Sequence, residues 1–342
     1  MSSFKPGEIY LVREFDFTSK KESRYTKIGL VHAPRKSIDR LKEHQTGNPN
    51  ILRLIDSEVV QTEAVDWVEA MLHRIYAKHR VSGEWFELNP AQRKDVLHEA
   101  EKLREEAKAL PKLQKKVDLL TSTKDNSKTV KPNPEQLALA SQLLIAKMQL
   151  KAIGPLQIEI NRLFKKAVES GVDIAGAAKV QTKTYAAKML KDDQKALLKD
   201  FPEIYKKFEE LKSEFYQRFS LVFEDATLVL SAEFEAEIES IGKLIEQVSE
   251  SFDPYVANEA NLMLSDLKTV AERQVIFSDL ALREACGKNQ AIEGVCTWPR
   301  HDVERVFFNV DKFVAKHKDL AEKYMKASWT ETYVNAVKRK AQ

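Results

Sequence analysis

Gly7-Glu8-Ile9-Tyr10-Leu11-Val12 and Tyr25-Thr26-Lys27-Ile28-Gly29-Leu30-Val31 are two alternating runs rich in β-formers. They predict strands over residues 8–12 and 25–31, joined by a polar loop over 15–24. Alternation puts Ile9 and Leu11 on one face of the first strand and Tyr10 and Val12 on the other. On the second, Tyr25, Lys27 and Gly29 point one way and Thr26, Ile28 and Leu30 the other. Working outward, Pro34 introduces a short helix over 35–44, Thr46-Gly47-Asn48-Pro49 is turn chemistry, and 51–60 is a third strand. An amphipathic helix is expected over 62–80. Val65, Val68, Leu72 and Ile75 form its apolar stripe, and Asp66, Glu69, His73, Tyr76 and Arg80 form a second one. Val81-Ser82-Gly83 breaks that helix, Trp85 and Phe86 return to the core, and a charged helix covers 90–110. The expectation for residues 1–110 is an α+β module with a small antiparallel three-stranded sheet.

Beyond it, residues 111–133 are polar at their C-terminal end and read as a linker. Asn133-Pro134-Glu135-Gln136 then combines an N-cap, a first-turn proline and a capping-box glutamine. From there to residue 342 the pattern is mostly α-helical. The longest periodic stretch spans 202–252. Asp253-Pro254 turns the chain into a second long helix over 255–285, which can pack antiparallel on the first and which Cys286-Gly287 ends. A small hairpin is expected near 291–310, pairing 292–298 with 305–310. Helices over 312–325 and 329–340 follow. The long helices are expected to form a homo-oligomer or hold a protein partner.

The whole sequence has 342 residues, 43% of them hydrophobic and 31% charged, enough for two folded cores. The net charge of +3 is small, but residues 13–53 carry ten Lys/Arg against five Asp/Glu, the local excess of a nucleic-acid-facing surface. Cys286 and Cys296 make neither a disulfide framework nor a zinc knuckle. No apolar run approaches membrane-spanning length and no targeting core is visible, so a cytoplasmic protein with no membrane partner is expected.

Taken in order, Ile9-Tyr10, Lys27-Ile28-Gly29, Arg40-Leu41, Thr46-Gly47-Asn48-Pro49, Glu69 to His73, Arg80 and Gly83-Glu84-Trp85-Phe86 resemble the GIY-YIG nuclease superfamily, in particular its phage-type branch, over residues 7–88. The resemblance implies metal-dependent hydrolysis of phosphodiester bonds in double-stranded DNA. In it Glu69 holds one Mg²⁺ or Mn²⁺, a hard cation suited to oxygen ligands and waters, and Arg40 binds the scissile phosphate. Tyr10 orients or deprotonates the attacking water. Because a free phenol titrates near ~10, that role needs a positive field, which Lys27, Arg40 and the metal would supply. His44, one turn after Arg40, is the alternative base nearer neutral pH. Lys27, Tyr25, Arg35, His73 and Arg80 are the expected phosphate or DNA contacts. Lys27 stands where the second motif expects a tyrosine, and Tyr25 on the same strand face can restore the phenol. Tyr10, Arg40 and Glu69 should converge on one exposed concave face. Ile292-Glu293-Gly294-Val295-Cys296-Thr297-Trp298 is similar to a tail segment behind phage recombination exonucleases.

Two other readings compete with the endonuclease: a DNA-binding protein on the same fold that does not cut, and an interaction protein whose helices are its working part.

Overall fold

The computed structural model describes residues 4–174 and 178–336. Strand β1 (Gly7–Phe15) lies between β2 (Glu22–His32) and β3 (Ile51–Thr62), antiparallel to both. Helix α1 (Ser37–Thr46) connects β2 to β3, and α2 (Val65–Ile75) follows. A 3₁₀ turn, Ala77–His79, leads into β4 (Arg80–Ser82) and β5 (Trp85–Glu87), so the sheet has five strands in the order β3-β1-β2-β5-β4, not three. The extra pair comes from the end of the expected 62–80 helix. That helix stops at Ile75, and Arg80 pairs with Phe86.

Alternation divides the module into two cores. Ile9, Leu11, Ile28 and Phe86 face α2 and α3 (Pro90–Ala107), meeting Val68, Leu72, Val96 and Leu103. Tyr10, Val12, Val31 and Leu52 face the other side, where Leu41 of α1 and Trp85 close over them. Glu8 fixes the placement of α1. Its buried carboxylate accepts the Ser37 backbone N–H at 2.8 Å and the Lys36 ammonium at 2.9 Å. An acceptor at a helix N-terminus satisfies an otherwise orphaned donor.

The expected linker is not one. Residues 110–121 form α4 (Leu110–Thr121), whose Val117, Leu113 and Leu120 pack into a core, and β6 (Thr129–Val130) follows. Helix α5 (Pro134–Glu169) begins on Asn133, with the reciprocal Gln136 bond in place. At 36 residues it is about 54 Å long. Its partner is α9 (Pro254–Cys286). Hydrogen bonds Gln157 to Asn261 and Gln274 to Gln142 run in opposite sequence directions, so the two are antiparallel.

The 202–252 stretch is not a rod. In chain order it follows β7 (Ala178–Tyr185) and α6 (Lys191–Asp200), and it breaks into α7 (Pro202–Lys206), β8 (Glu209–Gln217), β9 (Ser220–Leu221) and α8 (Ala232–Glu250). The remaining elements are β10 (Ala291–Ile292), β11 (Cys296–Thr297), β12 (Arg300–Phe308), α10 (Val310–Lys316), α11 (Lys318–Tyr324) and β13 (Trp329–Ala336). The hairpin near 291 is tighter than expected, β10 with β11. The next strand, β12, pairs with β8 instead. Residues 312–325 break into two helices at His317, and 329–336 is a strand paired with β7, not a helix. Residues 337–340 of that expected helix lie outside the described residues. A small core of Leu197, Phe208, Phe313 and Ala321 binds α6, α7, α10 and α11 to the β8–β12 ribbon. The α+β module followed by a mostly helical region with long antiparallel helices stands.

Candidate functional site

Tyr10 is the hub. Its register partner on β2 is Gly29, and a Cβ built there would lie 2.8 Å from the phenol's Cζ and 2.9 Å from its hydroxyl. Only a residue without a side chain lets the ring lie flat across β2. The hydroxyl reaches His44 Nε2 at 3.5 Å, and Arg40 stands within hydrogen-bonding reach of it. Both come from α1, one turn apart, and α1 is held by Glu8. The Lys27 ammonium, two residues before Gly29 on the same strand face, is buried in an ion pair with Glu84. Glu84 and Glu69 both act electrostatically on the phenol. Tyr10, Lys27, Arg40, His44 and Glu84 therefore form one neighbourhood drawn from β1, β2, α1 and the β4–β5 turn, and Glu69 of α2 acts on it only electrostatically.

Its protonation states follow from burial and charge. Tyr10 is 1% exposed, and burial pushes its phenol up to about 12 against the opposing pull of Arg40. Of the charges expected to activate it, Lys27 is tied to Glu84 and Arg40 also pairs with Glu43, and these two alone do not offset the burial. The expected exposed face is likewise corrected at its centre: the phenol is inside. His44 moves the other way. Burial lowers its pKa, and the Lys27 and Arg40 charges lower it further. The imidazole is neutral near pH 7 and can take a proton. Burial pushes Glu84 up, but Lys27 outweighs it and holds the carboxyl below its usual range.

Other expected contacts fall elsewhere. His73 is 5% exposed, donates from Nε2 to the Ile28 carbonyl at 3.0 Å and packs on Phe86 at 5.2 Å. Arg80, also 5% exposed, pairs with Asp266 of α9 at 3.2 Å and donates to the His73 carbonyl. Neither offers a surface to a phosphate, because α2 turns His73 onto the sheet and β4 turns Arg80 onto α9. Arg35 is exposed and pairs with Glu43. Tyr25 takes an Arg24 hydrogen bond at 3.3 Å, away from the hub.

The sequence reading missed Arg273. From α9 it donates to the Asp66 carbonyl at 3.2 Å, and its guanidinium feels Asp66, Glu272 and Glu69. Burial lowers its pKa. Between α2 and α9 lies a cleft of about 410 Å³ lined by Asp66, Glu69 and Ala70 on one side and Thr269 and Arg273 on the other. No sequence signal links positions so far apart. Glu84 was missed as a member of the hub as well, although its place directly before Trp85 and Phe86 was a signal.

For a divalent cation, the oxygen donors near the hub are Glu69, half-buried in this cleft with Asp66, and Glu84, which Lys27 holds. Hard oxygen donors with room for water suit an ion such as Mg²⁺ that keeps much of its hydration. Among the described residues no group of three or more His, Cys, Asp or Glu is placed to hold a metal.

Residues 7–101, just over a quarter of the chain, match the model of the T5orf172 domain, a phage-associated, nuclease-like family. The match is to that family and not to the GIY-YIG nucleases, which corrects the resemblance drawn from the sequence motifs. No curated protein and no solved structure matches the chain. No helix among the described residues is long and apolar enough to cross a membrane.

Proposed function

We propose that the N-terminal module hydrolyses phosphodiester bonds in DNA. The observation that carries this reading is the convergence on Tyr10 of a neutral imidazole and an arginine, with Glu84 and Glu69 in electrostatic reach, inside the segment that matches a nuclease-like domain. Arg40 holds the scissile phosphate through its planar donor fork, a contact that competes with Glu43. His44 takes the proton of the attacking water, the work of a base that is neutral at the operating pH. Tyr10 stays protonated and orients: its oxygen accepts from His44 Nε2–H, which leaves Nδ1 to take the proton, and its hydroxyl donates to the nucleophile. Glu69 is the ligand for Mg²⁺ or Mn²⁺, which when bound supplies charge stabilisation at the leaving oxygen.

The test is Mg²⁺-dependent nicking of supercoiled plasmid, with Glu69→Ala and His44→Ala beside the wild type. Cutting should vanish in Glu69→Ala while DNA binding remains, and His44→Ala should lose about 10²–10⁴-fold, the usual worth of a general base. The pH profile separates the two candidate bases. With His44 as base, the rate rises through a pKa below 6.5 and is level through neutrality. A rate still climbing toward the Tyr10 value of about 12 assigns the base to the phenol instead. Wild-type protein that binds but never nicks overturns the hydrolytic reading.

A further inference from the structure

Among the described residues, strands β7 and β13 form a two-stranded ribbon. Their register sets Tyr185 opposite Trp329, Lys183 opposite Glu331 and Gln181 opposite Tyr333, so these six share one face. The face is stiff. Tyr185 and Trp329 stack at 4.9 Å with a 13° tilt, the Tyr185 and Tyr333 hydroxyls are 2.6 Å apart, and Trp329 Nε1 donates to Glu331 at 2.9 Å. Three ammonium groups stand on it. Lys326 lies 4.1 Å and Lys188 5.3 Å from the Trp329 centroid, and Lys183 lies 5.0 Å from that of Tyr185. All three lysines are exposed, and among the described residues none has a carboxylate within ion-pair distance. Nearby Lys195, Lys206 and Lys212 do. Residues 178–191 hold four lysines and no acid.

A lysine steadied by a ring keeps its full charge and its donors for an outside anion, at small cost in rotamer freedom. The rings themselves are occupied, by each other and by ammonium groups, so they offer little open face for a stacked base. That favours contact with phosphates over single-strand stacking. A two-stranded ribbon is also of a width that a duplex major groove admits.

We propose that the β7–β13 ribbon is a second DNA-binding surface, gripping the phosphate backbone of a duplex through Lys183, Lys188 and Lys326. It is built from elements other than those of the Tyr10 hub and does not depend on the hydrolytic reading. The test uses the full chain with Glu69→Gln, in chelator, and a fluorescein-labelled duplex of about 20 base pairs, with anisotropy read across a salt series. Adding Lys183→Gln, Lys188→Gln and Lys326→Gln together should weaken binding at least tenfold. It should also flatten the slope of log affinity against log salt by about 2–3, close to 0.9 for each phosphate that is no longer neutralised. Arginine at all three positions should restore both. A control triple, Lys195→Gln, Lys206→Gln and Lys243→Gln, should leave the slope near its starting value. The proposal fails if the ribbon triple leaves the slope unchanged, if the control triple changes it equally, or if a single strand of the same length binds more tightly than the duplex. Failure of the hydrolytic reading looks different: no nicking by the chain with Glu69 intact, whatever the binding isotherms do.

Discussion

Lys27 and Arg300 are both buried cations, 6% and 0% exposed, and their charged groups are hydrogen-bonded in different ways, although the Asp125 carboxylate also acts on Arg300 from nearby. Lys27, in the N-terminal module, meets the titratable carboxylate of Glu84 beside a phenol and an imidazole. Arg300, in the helical half, gives its guanidinium to backbone carbonyls: Leu120 at 2.9 Å, Gly287 at 2.7 Å and Asn289 at 3.0 Å. Its plane also lies 4.0 Å from the Trp298 ring. Side-chain partners can change charge or yield to a ligand, whereas carbonyls cannot. The first arrangement suits chemistry. The second is a joint, tying the end of α4, the turn after α9 and the start of β12 together.

The strongest way to break this contrast is Arg300→Met. It takes the guanidinium away from three half-buried carbonyls, of which Leu120 and Asn289 keep another donor. A loss of about 2–3 kcal/mol is expected, the upper range for hydrogen bonds to a charged donor that are lost from half-buried acceptors. Urea unfolding of the full chain reads it. A loss below about 1 kcal/mol, within the range of an ordinary surface change, would mean that Arg300 is not a joint.

Gly29→Ala sharpens the other side. Its Cβ must push the Tyr10 ring aside, and the ring is enclosed by Val12, Val31 and Leu52. Overpacking of this kind costs about 1–3 kcal/mol. The more telling effect is on the hub: the phenol leaves His44, so nicking should fall further than stability alone explains. A variant as active and as stable as the wild type would show that the close approach of ring and strand is dispensable.

The two regions also differ in how far their sequence could be read. In the module, β1 and β2 alternate over long runs, so the facing of Tyr10, Lys27 and Gly29 was legible from period alone. The cap at Asn133 was legible because its partner, Gln136, is three residues away. What failed depends on distant pairing. Ile204, Phe208, Leu211 and Phe215 keep a helical spacing, yet β8 is a strand because β12, some ninety residues on, pairs with it. Trp329, Thr330, Thr332, Tyr333 and Val334 did carry a β signal in their composition, and it outranked the helical reading once β7 was available. Of the hub, Tyr10, Arg40 and His44 were legible. The phenol's burial was not, since it depends on α1 and Trp85 closing over the sheet, and Arg273 was not, since it arrives from α9.

The smallest effect expected is acid-dependent and tests whether the Lys27 pair titrates as a joint cannot. Glu84 has a folded pKa below its ordinary 4.5, with burial opposing and Lys27 prevailing. A depressed carboxylate contributes stability that is fully present above the unfolded value and is lost as pH falls through the folded one. Glu84→Gln should therefore be less stable than the wild type at pH 7, by about 1 kcal/mol given the partial exposure of the carboxylate. The gap should close as pH drops below 4.5, where the wild type protonates the same group. Above pH 5 neither protein titrates at this position, so the gap there should be level. A gap that stays constant through the acid range would place Glu84 outside the titrating pair, and the module would then hydrogen-bond its buried lysine through fixed dipoles, as the helical half does for its arginine.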